Sequence, residues 1–180
     1  MYGLVNKAMQ ELVTATYGEE TWKEIQKESG FDEEEFIGLK SYPDSLTYEL
    51  VRIGSERLGV SQEALLEKFG EQWITHTAAH GYENVLNLGG SNMIDFLHNL
   101  NTIHSKISHL MPQMQPPIFR VKKEFVTRIE LLYFSERPGL QPMVTGILRG
   151  LGRRFGLEAQ VRNLGPDPDF PDNILFEISW

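Results

Sequence analysis

Ile129-Glu130-Leu131-Leu132-Tyr133-Phe134-Ser135-Glu136-Arg137 is the stretch on which the reading of this chain turns. Successive side chains of a β-strand point to opposite faces, so Ile129, Leu131, Tyr133, Ser135 and Arg137 are expected on one side. That side starts apolar and ends in a phenol, a hydroxyl and a guanidinium. Three such donors suit a carboxylate or a phosphate.

Outward from this stretch, Ile118 to Glu124 and Thr127 to Ser135 alternate like two strands joined by a short turn. Pro142 to Phe155 reads as an apolar helix stopped by Gly156. Leu157 to Asn163 and Asn173 to Trp180 read as two further strands, with Gly165-Pro166-Asp167-Pro168-Asp169 as the loop between them. The preceding residues have the texture of helices. Leu4 to Tyr17 is stopped by Gly18, and Thr21 to Ser29 is closed by Gly30. The acidic run Phe31 to Phe36 reads as an exposed loop. Asp44 or Ser45 caps a helix reaching Leu58, with Gly59 past its end, and Ser61 caps another reaching about Ala79. Asn84 to Leu88 forms a short turn. Ser91 then caps a long helix that carries His104 and is ended by Pro112, Pro116 and Pro117. The fold class expected is α+β. One domain spans residues 1–180, with an N-terminal helical lobe over 1–60 and the long helix, the sheet and the C-terminal helix within 61–180.

Composition narrows the chemistry. The chain has 180 residues, 41% of them hydrophobic and 23% charged, which suits one soluble globular domain with a sizeable core. No apolar run reaches membrane-spanning length and the N-terminus lacks a signal-peptide layout, so a cytoplasmic location and no membrane are expected. There are no cysteines, which excludes disulfides, thiolate metal sites and covalent haem attachment through Cys-x-x-Cys-His. The net charge is −8, and residues 1–60 hold twelve acidic against six basic side chains. Nucleic acid is not an expected partner, because phosphate neutralisation needs a concentrated basic surface. Arg149, Arg153 and Arg154 form a small basic group that reads as a solvated helix end, with partner docking as the alternative.

The histidines separate on a helical wheel. With Met93 at 0°, Phe96, Leu97, Leu100, Ile107 and Met111 fall at about 300°, 40°, 340°, 320° and 0°. His104 falls at about 20°, inside that apolar stripe, while His98 and His109 fall at about 140° and 160° on the other face. An imidazole turned toward hydrocarbon needs a hydrogen-bond partner or a metal to offset its desolvation. A flat apolar cofactor whose iron takes the nitrogen fits those surroundings, and a carboxylate clamp on a strand fits the same cofactor. Taken alone an inward histidine is more often a satisfied core side chain, but paired with the clamp it suggests haem, which in a chain without cysteine would be non-covalent (haem b) and histidine-ligated. His76 and His80 form an i, i+4 pair that could hold zinc in a hydrolase, although Thr77 stands where a zinc-protease motif has Glu. A cofactor-free interaction module is the third class.

Tyr133-Phe134-Ser135-Glu136-Arg137 also matches the Tyr-x-Ser-x-Arg motif of H-NOX domains, the haem–nitric oxide/oxygen binding family. The resemblance covers essentially the whole chain. It takes in Met1-Tyr2-Gly3-Leu4-Val5, Phe69-Gly70-Glu71-Gln72-Trp73, Pro116-Pro117, Gly139-Leu140-Gln141-Pro142-Met143 with Gly146, and Gly150-Leu151-Gly152. The family includes stand-alone bacterial proteins and the sensor domain of the soluble guanylate cyclase beta subunit. The resemblance implies about seven helices packed on a four-stranded antiparallel sheet, with haem between the lobes. It also implies that His104 is the iron ligand and that Tyr133, Ser135 and Arg137 hold the haem propionates. Pro117 then matches a proline that presses on the porphyrin, and Val5 a residue in van der Waals contact with it.

Trp73, Leu140 and Met143 match the distal gas pocket. Oxygen-binding members carry a tyrosine at the position of Met143, and a phenol donor stabilises the charge that bound dioxygen draws from iron. A thioether offers no such donor. The expectation is a sensor, not an enzyme, that binds NO and CO at ferrous iron without a stable oxygen complex. NO weakens the bond to His104, and the shift regulates a partner such as a histidine kinase or a cyclic-dinucleotide enzyme. No nucleotide-binding loop, kinase signature or cyclase segment is visible.

Overall fold

The computed structural model describes residues 1–77, 83–109 and 111–180. Among them are seven α-helices and four strands in the order α1 (Gly3–Tyr17), α2 (Glu19–Glu28), α3 (Asp44–Leu58), α4 (Gln62–Thr77), α5 (Glu83–Asn87) and α6 (Met93–Ser108), then β1 (Ile118–Phe125), β2 (Arg128–Phe134), α7 (Gln141–Arg154), β3 (Gln160–Pro166) and β4 (Ile174–Ser179). The strands make one antiparallel sheet in the order β1-β2-β4-β3. This is the α+β arrangement expected. The chain divides into two compact units, Met1–Phe69 and Gly70–Trp180, and the division falls within α4.

In the first unit, α1 buries Ala8, Met9, Leu12 and Val13, while Trp22 and Ile25 are the buried positions of α2. The acidic loop is exposed at Asp32 to Glu35 but fastened at both ends by aromatic rings. Phe31 stacks on Phe36 at 3.9 Å, and Tyr42 meets Phe36 edge-on at 5.2 Å. The first residues of the chain are tied to the same loop. Gly3 N–H donates to the Lys40 carbonyl (2.8 Å) and Leu4 N–H to the Gly38 carbonyl (3.0 Å). A Cβ at Gly3 would lie 2.2 Å from the Ile37 carbonyl oxygen, so only glycine allows this approach.

Two expected caps are replaced. Asp44 and Ser45 make no side-chain cap on α3, whose N-cap is Pro43; Asp44 instead pairs with the Met1 ammonium. For α6 the cap is Asn92, not Ser91. Its Oδ1 accepts from Asp95 N–H (2.9 Å) and its Nδ2 donates to Asp95 Oδ2 (2.7 Å), so cap and third residue satisfy each other. Ser61 does cap α4, accepting from Ala64 N–H (3.1 Å).

The second unit is built around the sheet. Ile129, Leu131, Tyr133, Phe176 and Ile178 face a core completed by Met93, Phe96 and Leu97 of α6 and by Val144, Leu148 and Leu151 of α7. β3 runs on to Pro166, past an irregularity between Asn163 and Pro166, into the stretch expected as loop. The β3–β4 connection is fastened to β1 by Lys122, which donates to Asp167 (2.6 Å) and Asp169 (2.8 Å). The Asp167 side chain is fully buried and also accepts from the main-chain N–H groups of Asp169 and Phe170. Lys122 holds the Asp167 carboxyl below its ordinary range; burial opposes this and the two N–H groups assist. A carboxyl depressed in the folded state stabilises the fold above its unfolded value and loses that contribution as pH falls. Asp167→Asn is therefore expected to lower stability at neutral pH and to flatten the loss of stability below about pH 4 in acid titrations followed by circular dichroism.

Candidate functional site

His104 lies in the fourth turn of α6, half-buried beside Ile103, which is 4% exposed. His98 and His109 are exposed, as the helical wheel predicts. The Nδ1 atom of His104 is fully buried and has no hydrogen-bond partner. Burial pushes the imidazole below its ordinary pKa; the Pro117 main-chain carbonyl acts in the opposite sense but falls short of a normal hydrogen bond to Nδ1. The ring is thus held toward its neutral form, which carries the lone pair a metal ligand needs.

The helix that presents His104 is fixed one turn earlier. Asn101 Nδ2 donates to the Phe119 carbonyl (2.6 Å), and Phe119 N–H donates to Asn101 Oδ1 (3.0 Å). This two-way bond joins α6 to the start of β1. Nothing in the sequence pattern pointed to Asn101, since an amide on the polar side of a helix has no periodic signature. The Phe119 ring then lies between the two halves of the site, 6.1 Å from the His104 ring and 5.4 Å from the Tyr133 ring. Tyr133 in turn rests edge-on against Phe176 at 6.0 Å.

The polar row differs from its sequence-based reading in one respect. β2 ends at Phe134, so Ser135 and Arg137 lie in the turn after it and not on the strand face. The reason is local: Ser135 Oγ accepts from Arg137 N–H (3.1 Å), a hydroxyl–backbone bond that competes with strand pairing. The three side chains nevertheless act on one another. Burial raises the Tyr133 phenol above its ordinary pKa, against the hydrogen bond from Ser135 and the charge of Arg137. The Arg137 guanidinium reaches Gln115, donating through Nη1 to its carbonyl (2.6 Å) and through Nη2 to Oε1 at a longer 3.4 Å. Gln115 is a second residue the sequence did not signal.

The remaining positions fall in both units. Trp73 is half-buried on α4, Leu140 is the N-cap of α7, and Met143 lies half-buried in its first turn. A Cβ at Gly70 would lie 2.1 Å from the Met143 carbonyl oxygen, so the turn of α4 leading to Trp73 runs in backbone contact with Met143. Pro117 is half-buried just ahead of β1. Val5 is half-buried in the first turn of α1, in the first unit. His80 and the side chain of His76 lie outside the described residues. Among the described residues no group of three or more His, Cys, Asp or Glu is placed to hold a metal.

A buried, partnerless imidazole nitrogen on an apolar helix face, with a phenol, a hydroxyl and a guanidinium grouped near it, fits a haem. The family model for haem-NO-binding domains matches residues 2–163. The chain belongs to the H-NOX family. H-NOX domains hold haem iron, and this domain is a haem-binding gas-sensor domain. Its relatives include the soluble guanylate cyclases gcy-32 and gcy-37 of Caenorhabditis elegans. Each is 31% identical, over 157 and 165 residues respectively, or 86% and 89% of this chain. The chain spans about a quarter of those relatives, 23% of each. Two solved structures of an H-NOX protein from S. oneidensis, an Fe(II) form of a triple mutant and an Fe(II)NO form, superpose with a TM-score of 0.88 at 19% identity. Both cover 99% of this chain, and the alignments take in 95% and 98% of the solved chains. No described helix is long and apolar enough to cross a membrane.

Proposed function

We propose that this H-NOX domain senses NO, and binds CO, through haem b held by His104 at the iron and by Tyr133, Ser135 and Arg137 at the propionates. The observation that carries the reading is the His104 imidazole, half-buried on an apolar helix face with a fully buried, unpartnered Nδ1. Bound haem would supply an iron that takes a diatomic gas. Pro117 would press on the haem, and Val5 is the second residue proposed to touch it. Trp73, Leu140 and Met143 line the gas side, and Met143 supplies no donor for dioxygen.

In this reading His104 releases its hold when NO binds. Freed of that tether, α6 shifts against β1, and the altered surface regulates a signalling partner. A histidine kinase or a cyclic-dinucleotide enzyme fits that role, as does a cyclase in cis, the arrangement of the guanylate cyclase relatives. The test is the absorption spectrum of the reduced protein under argon, air and NO. Air is expected to leave the argon spectrum without an oxygen complex, and NO to give the spectrum of iron that has lost its imidazole. A persistent oxygen spectrum in air would sink the selectivity, and a six-coordinate NO spectrum at ambient temperature would sink the release of His104.

A further inference from the structure

The short segment between α6 and β1 is fastened at two points. Arg137 grips the Gln115 carbonyl at 2.6 Å, and Asn101, one turn before His104, holds both main-chain groups of Phe119, whose ring lies 6.1 Å from the His104 ring. Between these points lie two consecutive prolines. Each ring fixes its own φ, and each also confines the residue before it, so residues 115, 116 and 117 have little torsional freedom. A stiff segment held at its ends passes displacement along its length instead of absorbing it.

We propose that Gln115-Pro116-Pro117 is a strap that couples the Arg137 clamp mechanically to His104, with Gln115 as the positioning residue that receives the guanidinium. The inference rests on the haem reading given above. Arg137 then has two tasks: charge pairing with a propionate and anchoring the strap whose far end is tied to the helix of His104. A displacement at Arg137 would then be felt at His104 through protein, in parallel with any path through the cofactor.

The test separates the two paths with haem and with haem dimethyl ester, whose propionates carry no charge for Arg137 to pair with. Resonance Raman spectroscopy reads the iron–histidine stretch of the reduced protein. Arg137→Gln is expected to shift and broaden that band with both cofactors. Gln115→Gly, which relaxes the backbone while leaving the guanidinium in place, is expected to do the same. Hydrogen exchange in the haem-free chain supplies the second readout. Arg137→Gln should speed exchange at the Met114 amide, which lies next to the anchored residue and donates to the Met111 carbonyl, by about tenfold, the loss of one hydrogen bond to a charged group. A shift confined to natural haem overturns the proposal, because the effect then runs through the propionate. An unchanged band in Gln115→Gly with both cofactors overturns it as well. A chain that takes up neither cofactor overturns the haem reading and the strap with it, whereas unchanged exchange overturns the strap alone.

Discussion

Replacing His104 with glycine is expected to abolish the imidazole-ligated spectrum of the reduced protein, and added free imidazole to restore it. The argument is one of cost. An imidazole sunk into an apolar face loses water, and here its Nδ1 recovers no hydrogen bond. Glycine removes that side chain and leaves a gap of the ligand's own shape, into which imidazole from solution can enter. His98→Gly and His109→Gly are the controls. Both side chains are exposed; His98 meets only Glu124 (3.1 Å), and His109 bonds the Ser105 carbonyl one turn back (2.8 Å). Neither change is expected to move the spectrum. An unaltered spectrum in His104→Gly would falsify the assignment of the axial ligand.

Periodicity carried most of the fold. The 3.6-residue stripe of α6 and the two-residue alternation of β2 are set by side-chain burial, and burial is what a hydrophobic pattern records. β2 lies within one residue of its expected ends, whereas α6 stops at Ser108, about a turn before Pro112. The polar ends were legible by type and not by geometry. The row from Tyr133 to Arg137 reads as strand by parity, yet Ser135 turns back on the Arg137 amide and ends the ladder. The cap of α6 was missed in the same way, since Ser91 and Asn92 are both good caps and the choice depends on where Asp95 can answer. Asn101 and Gln115 were invisible because each works on a main-chain group distant in sequence. A main-chain partner leaves no residue type to read. The approach of Gly70 to Met143 has the same origin, because a glycine in a helix signals only that something lies close.

Phe176→Ala is expected to cost about 3–5 kcal/mol of stability, a large share of the roughly 5–15 kcal/mol that holds a domain folded. Phe176 is fully buried at the centre of the sheet, opposite Leu131 on β2 and Asn163 on β3. Its removal leaves a cavity that the paired strands cannot close by moving, since both flanking ladders fix their spacing. Urea unfolding should show a lower midpoint with an unchanged slope, and Phe176→Leu should recover much of the loss. Val126→Ala, at a position 92% exposed, is expected to stay within about 0.5 kcal/mol of the parent. The effect should also extend beyond stability. Tyr133 packs edge-on with Phe176 and tilted against Phe119, so its phenol is aimed by two ring contacts. With one contact removed, the phenol loses its fixed position in any molecules that remain folded. Haem affinity should then fall in Phe176→Ala even at temperatures well below the unfolding transition. An affinity that follows the folded fraction alone would show that Tyr133 does not depend on the ring beneath it.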